Sequence, residues 1–109
     1  MPALLYFIEN PSLRARKIGI TNIGTARIEG FVKQGWEILH LVESQEGGLI
    51  RQLETSLFDW IRVDLKLPSV LGAEEMGRQG GWSETFSSEG PSNEQIVKEI
   101  IERQKQLNV

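Results

Sequence analysis

Two short runs, Leu4–Glu9 and Arg16–Ile20, are rich in aliphatic, aromatic and β-branched residues, and the Asn10-Pro11-Ser12 turn signal separates them. That pattern predicts a β-hairpin. Gly19 lies inside the second run, where glycine weakens a strand unless another backbone or a ligand must come close. Asn22 or Thr25 can cap a short helix running to about Lys33, because Ile28, Phe31 and Val32 recur at helical spacing. Gly35 is placed to end it. Trp36–Ser44 reads as a third strand, apolar on much of both faces and therefore expected in the middle of a sheet. Gln45–Gly48 is a turn signal. Leu49 to about Leu65 follows as the longest helical stripe, carried by Leu49, Ile50, Leu53, Leu57, Trp60 and Ile61.

Leu67-Pro68-Ser69 breaks that helix. Residues 69–91 are irregular, with a turn of helix expected over Ala73–Met76 and a glycine-rich stretch from Gly77 to Phe86. An irregular run of this length is uncommon in a compact domain unless it is functional or disordered. Ser92 with Gln95 three residues on is a capping box opening a C-terminal helix. The order ββαβα, irregular lobe, α predicts an α+β fold: a small three-stranded, mostly antiparallel sheet flanked by helices. Residues 1–86 read as the domain, 87–92 as a linker, and 93–109 as a helix packing back on it.

Composition narrows the chemistry. The chain has 109 residues, one domain's worth, and no cysteine, which excludes disulfides and thiolate metal sites. No segment approaches the roughly 18 apolar residues of a membrane span, and no basic-then-apolar leader opens the chain, so a cytoplasmic protein without membrane contact is expected. Net charge is −3. Residues 1–40 carry five basic residues (Arg14, Arg16, Lys17, Arg27, Lys33) against three acidic ones, and the remainder seven against twelve. A basic front on an acidic body fits an anionic ligand.

Four residues invite a closer look, each with a plain alternative. Glu54 has Ile50, Leu57, Phe58 and Ile61 as helical neighbours. A carboxylate there needs a cation or strong donor beside it, or else sits on the stripe's edge and pairs with Arg51. Arg27 suits bidentate contact with phosphate, or is a solvated helix arginine. Tyr6 is by default a packed strand tyrosine. Trp82 could stack a base, or anchor the irregular lobe to the core. His40, the single histidine, reads as structural, having no companion with which to build a zinc site.

Together these residues resemble the GIY-YIG nuclease domain. Leu5-Tyr6-Phe7-Ile8 is similar to the first name motif, with Tyr6 as its tyrosine, and Lys17-Ile18-Gly19 followed by Ile20-Thr21 to the second. The family's helix arginine falls on Arg27 and its metal-binding glutamate on Glu54, over about residues 3–65. Leu4 and Leu5 replace the first motif's glycine and isoleucine. Lys17 stands where most members have tyrosine, and Phe31 where many have histidine. No residue clearly matches the later asparagine, Glu84 being the nearest polar candidate.

The resemblance implies hydrolysis of phosphodiesters in nucleic acid, DNA above all, with Mg²⁺ or another divalent cation on Glu54. Tyr6 would be general base to the attacking water, and Lys17 and Arg27 would stabilise the transition state. Arg14, Arg16, Gly19, Lys33 and Trp82 would contact the nucleic acid. With no separate recognition domain visible, such a chain would cut with little sequence specificity, form a homodimer or use a partner subunit. The rival reading is a domain of the same fold that binds nucleic acid or protein without cutting, favoured by the incomplete motifs and the acidic charge.

Overall fold

The computed structural model describes residues 2–76 and 81–109, apart from the side chains of Ala73 and Glu75. The irregular stretch expected from Gly77 therefore lies outside the described residues as far as position 80. The predicted hairpin is β1 (Ala3–Asn10) and β2 (Ala15–Asn22), antiparallel and in unbroken register from Ala3 opposite Asn22 to Asn10 opposite Ala15. Arg14, at φ 50°, completes the turn with its amide bonded to the Pro11 carbonyl, 3.2 Å away. Then follow α1 (Arg27–Lys33), β3 (Glu37–Ser44), α2 (Gly47–Asp59) and α3 (Ala73–Met76). A three-residue 3₁₀ turn (Trp82–Glu84), β4 (Thr85–Ser87) and α4 (Asn93–Gln106) complete the chain.

The fold is α+β, with one antiparallel sheet in the order β3-β1-β2-β4. It has four strands rather than the three expected. The extra one, β4, is only Thr85–Ser87, too short for a periodicity signal, and it pairs with Ala15–Lys17. The position of β3 differs as well. It was expected in the centre and lies at an edge, because β1 takes β2 and β3 on its two sides and β4 takes the outer side of β2. Only one face of β3 is covered, by α2 and α4 over Val42; on the other face Ile38 and Leu41 are each 43% exposed, so its two-sided apolar pattern does not mark a second neighbouring strand. The long helix also ends earlier than its stripe, with Trp60–Asp64 continuing as a π-helical turn.

Alternation along the hairpin sends the two sets of side chains to opposite faces. Leu5, Phe7, Ile18 and Val42 pack with Ile50, Leu53, Leu57, Ile96 and Ile100 into the larger core. On the other face Tyr6, Ile8 and Ala15 pack with Phe31, Trp36, Leu71 and Met76. Each fully buried aliphatic or aromatic side chain of this kind contributes about 1.5–3 kcal/mol. The capping box of α4 is formed as its sequence predicts, with the Ser92 hydroxyl accepting from the Gln95 amide at 3.1 Å and the Gln95 carboxamide accepting from the Ser92 amide at 2.8 Å. Among the described residues no helix is long and apolar enough to cross a membrane.

Candidate functional site

The glycine inside β2 has a steric reason. Tyr6 lies directly opposite Gly19, and a Cβ at Gly19 would overlap the Tyr6 hydroxyl and lie 2.6 Å from its Cζ. The phenol therefore lies across the neighbouring strand instead of standing off the sheet. Its ring packs on Phe31 of α1, with centroids 5.5 Å apart. Arg27, at the start of α1, donates from Nε to the Tyr6 hydroxyl at 3.4 Å. Burial pushes the Tyr6 phenol above its ordinary pKa, and Arg27 pulls it partly back.

Beside Tyr6 on the same face stands Lys17, opposite Ile8 in the register. Its side chain is completely buried. The ammonium lies 3.1 Å from Glu84 Oε1 and 3.3 Å from the Gly81 carbonyl oxygen, and 5.6 Å from both the Tyr6 and Phe31 ring centres. Desolvation lowers its pKa, and the Glu84 carboxylate works against that. A lysine so enclosed is a fixed positive charge under the site rather than a mobile arm.

Glu54 projects from α2 toward this group. Its Oε2 is buried and receives no donor among the described residues, while the carboxyl lies within hydrogen-bond reach of the Glu84 carboxyl. Its pKa is raised to about 8, first by burial and then by the adjacent Glu84 carboxyl, while Lys17 and Arg51 lower it. β4 covers β2 only from Ala15 to Lys17. The site thus lies where β2 loses its outer neighbour. Tyr6 and Lys17 form a closed floor, and the half-buried Arg27, Glu54 and Glu84 form its accessible side.

All four residues expected to be catalytic (Tyr6, Lys17, Arg27 and Glu54) therefore come together, from two strands and two helices. Sequence reasoning did not place Glu84 among them. It lies 67 positions from Lys17 and no local period connects the two. The resemblance points to it only as the nearest polar candidate for the family's later asparagine.

The expected nucleic-acid contacts divide. Arg14 and Lys33 are exposed, and Gly19 is buried beneath Tyr6. Trp82 is 46% exposed rather than anchored in the core. Arg16 is a correction. It is 1% exposed and lies on the opposite face from Tyr6. Its guanidinium donates to the carbonyls of Ser87 (2.9 Å), Glu89 (2.8 Å) and Pro91 (2.6 Å) and to Asn93 Oδ1 (3.3 Å). Four of its five N–H donors thus hold the expected linker against the hairpin, and at 1% exposure the group is closed to a phosphate. His40 lies on β3 with Nε2 buried and unpartnered among the described residues, and burial lowers its pKa.

No family model, curated protein or solved structure matches this chain.

Proposed function

We propose that this protein is a divalent-cation-dependent nuclease of GIY-YIG type, hydrolysing phosphodiesters, DNA above all, in the cytoplasm. The observation that carries the reading is the convergence of Tyr6, Lys17, Arg27 and Glu54 at the free end of β2, with Gly19 cut away to admit the phenol.

A cation fits the residues present. The buried, unpartnered Oε2 of Glu54 and the neighbouring Glu84 carboxyl are hard oxygen donors. Among the described residues no group of three or more metal-ligating side chains occurs. Mg²⁺ asks for less, one or two carboxylates completed by waters and substrate oxygens. Bound there, it would neutralise charge developing on the phosphate and the leaving oxygen. Arg27 holds the phosphate through its free guanidinium nitrogens while its Nε fixes the Tyr6 hydroxyl. Tyr6 would take the proton of the attacking water, a role that needs the floor to open, since its side chain is fully buried with its hydroxyl on Arg27. Burial opposes the phenolate, so this role leans on the charge of Arg27. Lys17 holds Glu84 in place from below, its charge largely neutralised by that carboxylate.

One observation favours a second reading, a nucleic-acid-binding domain that does not cut. Glu84 already neutralises the Lys17 ammonium, and no solvent reaches that side chain. Incubation of the purified chain with supercoiled plasmid and Mg²⁺ separates the two. Nicking that disappears in Glu54→Ala and in Arg27→Ala, both still folded by circular dichroism, is the expected result. Activity surviving both substitutions overturns the assignment, and retarded but uncut DNA selects the binding domain.

A further inference from the structure

The segment that carries Glu84 to Lys17 also presents Trp82. Three successive backbone carbonyls there are held: Gly81 O by Lys17 Nζ at 3.3 Å, Trp82 O by the Thr85 hydroxyl at 2.6 Å, and Ser83 O by Arg62 Nη2 at 2.6 Å. Gly81, at φ 75°, sets the turn. The result is an indole 46% exposed on a fixed backbone, two residues from the carboxylate at the site. Single exposed apolar residues are ordinary. One carried on a backbone held by three separate bonds, two residues from a carboxylate of a charged site, is a different matter, because little backbone ordering is lost when a flat partner settles on it.

The arrangement of cations points to what that partner is. Duplex DNA is gripped mainly through phosphates, commonly six to ten of them. Here Arg16 and Lys17 are buried, Arg62 is bonded to the Leu67, Ser83 and Thr85 carbonyls, and Arg103 is tied to Ser56 and Glu99. Among the described residues the cations left to the site are Arg27, bonded to Tyr6, and Arg51, which acts on Glu54, with Arg14 and Lys33 exposed on the hairpin turn and at the end of α1. These four fall short of a duplex footprint, while a stacking platform serves a strand whose bases are free.

We infer that the proposed site takes phosphodiesters next to an unpaired base, in single-stranded or frayed nucleic acid, with that base stacked on Trp82. The inference rests on the nucleic-acid reading above and is tested without cutting. The full-length chain is titrated in EDTA with a fluorescein-labelled twelve-nucleotide oligothymidylate and with a blunt twelve-base-pair duplex, and anisotropy is followed. The single strand is expected to bind more tightly, with a slope of log K on log salt shallower than about −2, since each phosphate contact adds roughly −0.7. Trp82→Ala should weaken single-strand binding roughly 5- to 150-fold and leave duplex binding unchanged, while Trp82→Phe should stay within about threefold of the unmodified chain.

Equal or tighter duplex binding by the unmodified chain overturns the inference, and so does an unchanged affinity in Trp82→Ala. Self-association abolished by Trp82→Ala would overturn it in favour of an interface between copies. Stacking that persists in a chain that never cuts refutes the nuclease reading alone.

Discussion

Replacing Gly19 with alanine tests the geometry at the centre of the site, because two opposing effects of known size meet there. A glycine inside a strand costs about 0.5–1 kcal/mol relative to alanine, so an unobstructed Gly19→Ala should stabilise. The new methyl would instead overlap the Tyr6 hydroxyl and lie 2.6 Å from Cζ. The ring has little freedom to retreat. It is fully buried, it packs on Phe31 at 5.5 Å, and Arg27 holds its hydroxyl. Overpacking of this kind costs about 1–3 kcal/mol. The overlap outweighs the gain, and a net loss of roughly 1–2 kcal/mol is expected, or about 4–8 °C in Tm for each kcal/mol in a domain of this size. Urea unfolding followed by circular dichroism measures it. The decisive control is the same substitution in a Tyr6→Leu background, where the obstructing ring is gone and Gly19→Ala should be neutral or stabilising. A Gly19→Ala protein as stable as the original, or an equal loss in both backgrounds, would refute the steric account of the glycine.

Two further outcomes follow from the charges. Glu54 has a folded pKa raised to about 8 from an ordinary 4.5. Between those values the folded protein binds a proton that the unfolded chain does not, so stability should fall as pH rises from about 5 to 8. Urea midpoints across that range should show the slope, Glu54→Gln should flatten it, and Mg²⁺ should offset the loss at the alkaline end; a Glu54→Gln protein with an unaltered slope would contradict the assignment. For the buried pair, Glu84→Ala strands the wholly buried Lys17 ammonium and should cost on the order of 3 kcal/mol, whereas Lys17→Met leaves only the 31%-exposed Glu84 unpaired and should cost less. Denaturation of both variants checks the order, and a larger loss in Lys17→Met would reverse the argument.

How much of this was legible in the chain depended on the range of the signal. Periodicity and turn chemistry act over a few residues, and they located the hairpin, the third strand, both long helices and the Ser92–Gln95 capping box. The position of β3 in the sheet was not legible, because its apolar residues on both faces suggested two-sided cover, while in the fold Val42 faces the core and Ile38 and Leu41 on the other face stay largely exposed at the sheet edge. Arg16 was misread for a related reason. An arginine at a strand start reads as surface charge, and only the return of residues 87–93 to the hairpin reveals the carbonyls it serves. Glu54 was legible as an anomaly on its own helix, an acid among Ile50, Leu57, Phe58 and Ile61; Glu84 was legible only as a stand-in for the family's asparagine, and its meeting with Glu54 was not, since that depends on the whole fold.

Glu84 changes what the hairpin's lysine means. From the sequence, Lys17 stands in for a second tyrosine, a group free to meet substrate. In the fold it is sealed under Tyr6 and Phe31 with one carboxylate and one carbonyl as partners. Paired in that way, the ammonium offers a phosphate little net attraction. Its larger effect is on order. By holding both Gly81 and Glu84 it fastens the returning segment to β2 and brings a second carboxyl against Glu54. Two acids pressed together beside a buried cation favour a retained proton, since both ionised at once repel, and in the proposed reading they are the side chains that would hold the divalent cation. The proton-transfer half of the proposed chemistry is thereby left to Tyr6 and Arg27 alone, and Lys17 belongs to the half that organises the acids.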